Sequence, residues 1–360
     1  TSLLGDGSGL TGISSGGFTV NSGNAVRTTG NVGIGTNVPL QKLDVHGNVN
    51  TTGNLYFSNT LSSEYSTVSA GVWSQVGGDI DGEAAGDYFG HSVAISSDGM
   101  RLAVGAALND GTGASAGHVR VFDWSGSAWT QVGGDIDGEA ADDRSGFSVA
   151  LSSDGTRLAV GAIGNDGGGT DSGHVRVFDW SGSAWTQVGG DIDGGSGVAD
   201  SGQSIALSSD GTRLAVGART GTAGHVRVYK ESGGTWTQVG VDIDGEAAGD
   251  QFGYSVDLSS DGTRLAVGAI KNDGNGTNSG HVRVFVESGG TWTQVGVDID
   301  GEAAGDQFGY SVDLSSDGIR LAVGGLPKRR RWYKLGPREG LRREWWDVDP
   351  TWGGHRRWCG

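Results

Sequence analysis

The sequence predicts an all-β protein: a β-propeller of four-stranded antiparallel blades, with about four and a half blades in frame and the ring incomplete, preceded by an extended Gly-rich β segment resembling a fibre. Three observations predict it. A block recurs about every 56 residues, each copy holds the same short β segments and turns, and Gly makes up 71 of 360 residues against 4 Pro. That much Gly also fits disorder, but the apolar residues here alternate and recur, which disorder does not require.

The landmarks of the repeat define its strands. Trp-Thr-Gln-Val-Gly or a close relative starts at Trp73, Trp129, Trp185, Trp236 and Trp292. Ser-Ser-Asp-Gly starts at Ser96, Ser152, Ser208, Ser259 and Ser315, and Gly-His-Val-Arg-Val at Gly117, Gly173, Gly224 and Gly280. In the first full copy, Ser92 to Ser96 reads as a strand, Asp98-Gly99 as a tight turn and Arg101 to Gly105 as the next strand. A polar loop from Asn109 to Gly113 leads to His118-Val119-Arg120-Val121-Phe122, whose alternation puts Val119 and Val121 on one face. Trp129 to Val132 closes the unit. The propeller is assigned to residues 61–324, with units near 73–128, 129–184, 185–235, 236–291 and 292–324. Copy three is five residues shorter, because Gly217 to Gly224 spans what Gly161 to Gly173 spans in copy two, and a loop tolerates this where a strand does not.

Residues 1–60 are different, with isolated Val, Ile and Leu among Gly, Asn, Ser and Thr. Asn31-Val32-Gly33-Ile34-Gly35-Thr36, then Pro39, then Lys42-Leu43-Asp44-Val45-His46-Gly47 resembles a motif of viral tail-fibre and related trimeric shaft proteins, as does Leu4 to Thr11. The resemblance implies a homotrimer through this segment, since such strands bury little alone. The other reading is a generic Gly-rich linker.

The repeats resemble the FG-GAP repeats of integrin alpha-subunit-type β-propellers. Phe89-Gly90-x-Ser92-Val93, Leu102-x-Val104-Gly105-Ala106 and Gly117-x-Val119-x-Val121-Phe122 carry the match, and Phe252-Gly253 and Phe308-Gly309 repeat the Phe-Gly pair. Copies two and three depart from it with Ser145-Gly146 and Ser201-Gly202, and every in-frame copy lacks the Pro after Gly-Ala. The resemblance implies an extracellular, cell-surface or virion-surface adhesion module that binds a protein or glycan, often with calcium. Fold-level analogy does not fix the ligand.

The net charge of −17 hides two unlike parts, with −23 on residues 1–324 and +6 on residues 325–360. An acidic body excludes phosphate-backbone binding, so no nucleic-acid partner is expected. No apolar run is long enough to insert in a membrane. The one cysteine, Cys359, excludes an intrachain disulfide. Residue 1 is Thr, so the chain is expected to begin inside a longer one.

The acidic loops are the candidate metal ligands. Asp79, Asp81, Glu83 and Asp87 recur with the same spacing as Asp135, Asp137, Glu139 and Asp143, as Asp242, Asp244, Glu246 and Asp250, and as Asp298, Asp300, Glu302 and Asp306. Calcium takes roughly six to eight oxygens, which alternating carboxylates around a Gly turn can supply. The other reading is a solvated acidic loop with an Asp-Gly turn. Calcium is the only cofactor expected. The repeat histidines His118, His174, His225 and His281 sit at the same strand start in every copy, so they are expected far apart around the ring, at a strand edge or on the rim, rather than on a metal.

Catalysis has little support. No Ser/His/Asp or Cys/His set is unique to one copy, and no phosphate-binding loop is present. The repeat Trp residues are expected to pack between blades, the alternative being sugar stacking. The expected function is therefore non-catalytic binding; the rivals are a polysaccharide-acting enzyme on a propeller scaffold, with its site in blades this frame lacks, and a structural spacer.

Residues 325–360 read as the repeat in a shifted frame. Trp has a single codon, TGG, and reading it one base later always gives Gly. Moved back by one repeat, Trp332, Trp345, Trp346 and Trp352 fall on Gly276, Gly289, Gly290 and Gly296, and only Trp358 fails, on Glu302. Permitted codons also turn Gly336 to Leu341 into Gly-His-Val-Arg-Val-Phe. Resequencing the DNA across codons 318–360 is expected to find one extra base near Gly324 and to restore the repeat beyond it; an unchanged reading would make the basic tail genuine.

Overall fold

The computed structural model describes residues 74–195 and 200–326, together with the backbone of six short strands outside them. The chain divides into two units, Thr1–Ser74 and Gln75–Gly360. In the first, Phe18–Asn21 pairs antiparallel with Asn24–Arg27, and Val32–Ile34 pairs parallel with Leu43–Val45. The two halves of the shaft-like motif thus meet as neighbouring strands, while the rest of that resemblance lies outside the described residues. Tyr333–Lys334 and Arg342–Arg343 pair antiparallel in the tail.

Every regular element among the described residues is a strand, and the strands form repeated antiparallel blades in a ring that does not close. The innermost strands are Phe89–Ile95, Ser145–Leu151, Ser201–Leu207 and Phe252–Leu258, each of which packs beside the next around the axis. Second strands run Arg101–Ala106, Arg157–Ala162, Arg213–Ala218 and Arg264–Ala269; third strands run His118–Trp124, His174–Trp180, His225–Ser232 and His281–Ser288. The outermost strand is interrupted: Trp129–Gln131 pairs with one end of the third strand and Ile136–Asp137 with the other. A fifth unit contributes Ser311–Leu314 and Leu321–Gly324. The sheets therefore run from Phe89 to Asp137 and its equivalents, so units counted from each Trp are offset from the blades by one outer strand.

The core lies between blades. Ala103, Val119, Val121 and Ile136 of blade one meet Val149, Leu158, Val160 and Phe178 of blade two, with Trp185 against them. The next two interfaces repeat this with Trp236 and Trp292. The Trp185 and Trp236 indoles donate to the carbonyls of Val132 and Val188 in the preceding blade. Leu158, Leu214 and Leu265 have no exposed surface, and each such burial stabilises by about 1.5–3 kcal/mol.

Polar contacts join blades at both ends of these cores. The Ser97 amide donates to the Ser153 carbonyl, Ser153 to Ser209, Ser209 to Ser260 and Ser260 to Ser316, so each Ser-Ser-Asp-Gly turn is tied to the next. Arg101 grips Asp123 through two nitrogens and donates a third hydrogen bond to the Gly155 carbonyl of the next blade. Nearer the axis, the hydroxyls of Ser92, Ser148, Ser204 and Ser255 donate to the carbonyls of Gly146, Gly202, Gly253 and Gly309. Those glycines sit in a β-bulge at positive φ, 81° at Gly146. This explains the copies without Phe: Gly is the residue the bulge requires, and Ser145 and Ser201 fill the buried place before it.

Opposite each bulge, the second-strand glycine brings two backbones together. A Cβ on Gly161 would overlap the Gly202 carbonyl of the next blade and the Ser148 hydroxyl. Gly161→Ala is expected to cost about 2–3 kcal/mol in urea unfolding, whereas Gly134→Ala, which meets nothing within 4 Å, is expected to be near neutral. Equal effects would refute the close approach.

One innermost position breaks the repeat. Ala94, Ala150 and Ala206 give way to Asp257, whose carboxylate accepts from the amides of Leu258 and of Leu314 in the fifth unit. Burial raises its pKa to about 6, with Asp313 adding repulsion and the two amides opposing. The folded state then holds this proton more tightly than the unfolded chain. Its contribution is fully present below the unfolded value near 3.8 and is lost as pH rises toward 6. Between pH 4 and pH 7 this amounts to at most about 3 kcal/mol. Asp257→Ala is expected to remove that decline when urea midpoints at the two pH values are compared with the parent; parallel pH profiles would refute it.

Candidate functional site

The antiparallel order puts two kinds of loop on one face of the propeller. The loop between second and third strands, and the loop from each outermost strand to the next innermost strand, both open there. The Ser-Ser-Asp-Gly turns open on the other face. The acidic segments and the Asn-Asp-Gly loops of the sequence therefore share one surface.

The structure divides the sixteen predicted acids by role. The last acid of each loop is turned inward. Asp143 is buried, and its carboxylate accepts from the amides of Glu139 and Ala140 and from the Asn165 side chain. Asp87 does the same with Ala84 and Asn109, and Asp250 with Ala247 and Asn272. Asp306 accepts from Ala303. The paired asparagine in turn accepts from the amide two residues on, as Asn109 does from Gly111, closing an Asx turn. These carboxylates hold the loops shut.

The first acid of each loop is steadied by the glutamine four residues before it: Asp79, Asp135, Asp242 and Asp298 accept from Gln75, Gln131, Gln238 and Gln294. At the second position the backbone is used. Arg120 donates to the Asp81 carbonyl and Arg283 to that of Asp244, and Arg176 is hydrogen-bonded to the Asp137 carbonyl. Asp300 and Glu302 are exposed. Among the described residues, the acids and histidines that lie within ligand distance of one another do not include three acids of one loop.

The structure gathers a different set. Glu83, His118 and Asp135 lie together, as do Glu139, His174 and Asp191, and Glu246, His281 and Asp298; in blade three His225 lies with Asp242 and Asp244. In blades one, two and four each set takes carboxylates from consecutive loops and the imidazole from the strand between them, whereas both acids beside His225 belong to one loop. The histidines are not rim residues: His118, His174 and His281 are 1% exposed. Burial lowers the pKa of His174, His225 and His281, helped by Arg176, Arg227 and Arg283, so the imidazoles are neutral near pH 7. A sequence signal for these sets exists. Each His follows its Glu by 35 residues and precedes its Asp by 17, in lockstep across copies one, two and four.

Trp185, Trp236 and Trp292 are half-buried at the blade interfaces, so packing is their observed role, and Trp73 lies outside the described residues. An open depression of about 390 Å³ lies on the acidic face, between the loop Glu246 to Asp250 and the loop Lys271 to Asn278.

The FG-GAP repeat family matches at residues 80–122, 136–178 and 241–285. No curated protein matches the sequence. Among solved structures the chain is similar to a putative 6-phosphogluconolactonase from Bacteroides uniformis, at 14% identity over 71% of this chain and 70% of that one, with a TM-score of 0.48. It is also similar to the periplasmic gluconolactonase of Pseudomonas aeruginosa, at 19% identity over 70% of each chain and a TM-score of 0.46. TolB from Acinetobacter baumannii matches at 13% identity over 68% of this chain and 49% of that one, with a TM-score of 0.40.

Proposed function

We propose that this propeller of FG-GAP repeats is a non-catalytic binding module that meets a protein or glycan on a cell or virion surface through its acidic face. The carrying observation is that exposed carboxylates recur on that face, with Asp110, Asp166 and Asp273 at the loop tips of blades one, two and four. A repeated surface suits several weak contacts made at once, whose strengths multiply when their spacing matches the partner. Its charge favours a partner with basic groups and steers the encounter at low salt. In this reading the chain acts outside the cell, and the shaft-like segment gathers three copies.

The loop-tip acids give a clean test. Asp110, Asp166 and Asp273 each accept a backbone amide, from Ser115, Asp171 and Asn278, through one carboxylate oxygen. Asn keeps that acceptor and removes the charge. The full chain is expected to bind components of protein and glycan arrays, with affinity falling as salt rises. Combined Asp110→Asn, Asp166→Asn and Asp273→Asn is expected to weaken binding by roughly tenfold, at a few tenths of a kcal/mol or more per exposed charge. An absence of binding, or binding indifferent to both salt and these substitutions, would sink the proposal.

A further inference from the structure

The buried histidines leave a problem of hydrogen bonding that the fold does not solve. Nε2 of His118, Nδ1 of His174, and both ring nitrogens of His281 have no hydrogen-bond partner. Buried imidazole nitrogens nearly always have one. Beside Nδ1 of His174 and of His281 lie carboxylates at the wrong distance. His174 Nδ1 is 4.0 Å from Glu139 Oε2, and His281 Nδ1 is 4.0 Å from Glu246 Oε2 and 3.8 Å from Asp298 Oδ2. These gaps are too long for a hydrogen bond. Around a tetrahedral cation with bonds of about 2.0–2.2 Å the ligand atoms stand roughly 3.3–3.6 Å apart, so a small inward shift of the carboxylates would bring these gaps to ligation distance.

We propose that blades one, two and four each hold a divalent transition-metal cation of the zinc class between a buried histidine and two carboxylates: Glu83, His118 and Asp135; Glu139, His174 and Asp191; and Glu246, His281 and Asp298. In each set the ligand atoms lie within 4.8 Å of one another. One imidazole with two carboxylates is a donor set for zinc and its neighbours, with a remaining position for water. The glutamates are 44–47% exposed at the side chain, free to swing inward and close the distance. Each is held on its other side by an arginine: Arg120, Arg176 and Arg283 lie 3.9, 3.5 and 3.7 Å from Oε1 of Glu83, Glu139 and Glu246. The cation would join the loop entering a blade to the outer strand leaving it.

Blade three is a built-in control. Gly195 stands where copy two has Glu139, and the Arg227 guanidinium engages both oxygens of Asp242, at 3.0 and 2.9 Å. His225 is thereby left without a free pair of carboxylates, and this set is assigned no ion.

The test uses the full chain, stripped with chelator and titrated with zinc by calorimetry. Three equivalents are expected, and the melting temperature should rise by about 5 °C or more at saturating zinc. Cobalt in place of zinc is expected to give visible absorption of a nitrogen- and oxygen-ligated ion. Because replacing a buried histidine can impair folding, the main variant is Glu83→Gln with Glu139→Gln and Glu246→Gln. It is expected to keep the metal-free melting temperature while weakening zinc binding by at least about tenfold. The proposal is overturned by any of three results: no zinc-dependent shift, parent-like zinc binding in the Gln variant, or a shift that calcium reproduces and zinc does not. None of these readouts involves a surface ligand, so they stand apart from the test of adhesion.

Discussion

The arrangement depends on a backbone-to-backbone approach between blades. At Gly105, Gly161, Gly217 and Gly268 a second strand carries no side chain, and into that space comes the carbonyl of the bulge glycine in the next blade. The bulge turns this carbonyl toward the serine hydroxyl of the preceding innermost strand. A side chain at either glycine would hold the inner strands apart. Every cross-blade contact farther out, from the valine layers to the tryptophans, is set by how closely the axis packs.

That constraint separates what was legible in the sequence from what was not. The strands were legible because alternation and turn residues are local signals: Arg101 to Gly105 and His118 to Phe122 fall inside the observed strands, and each Asp-Gly turn joins the first two. The family resemblance was legible at the Phe-Gly pair, yet the structure shows that the pair has unequal members. Glycine is demanded by a positive φ, while the place before it takes Phe or Ser. Nothing in a single copy distinguishes those demands. The offset between repeat and blade was hidden for a similar reason, since periodicity fixes a length and leaves the starting phase open.

The acidic loops were legible as acids, while the different surroundings of their members were not. Spacing treats the four carboxylates of a loop alike, but the last of them lies beside unpaired amides and accepts from them. Asp143 is held by two backbone amides and the Asn165 side chain, a local competition that spacing alone does not reveal. The histidines erred in the other direction. Regarded as one per blade, they were too far apart to share an ion. In blades one, two and four each instead meets acids brought to it by the loops on either side of its own strand, contacts that depend on the sheet rather than on the ring.

Because the cores lie between blades, the unit that is copied in the gene and the unit that folds are out of phase. Half of each apolar layer comes from one copy and half from the next. Near-identical copies make recombination easy, and an unequal crossover that adds or removes one whole copy regenerates the same junction wherever the break falls. Copy number can therefore drift without a new interface being invented, which is how a linear array of nearest-neighbour contacts gains or loses members. A length change inside a loop leaves that phase intact, as the five-residue deletion in copy three does between two strands that pair as their counterparts do, whereas one inside a strand would shift its partners, so selection on these genes should act more sharply on strands than on repeat number.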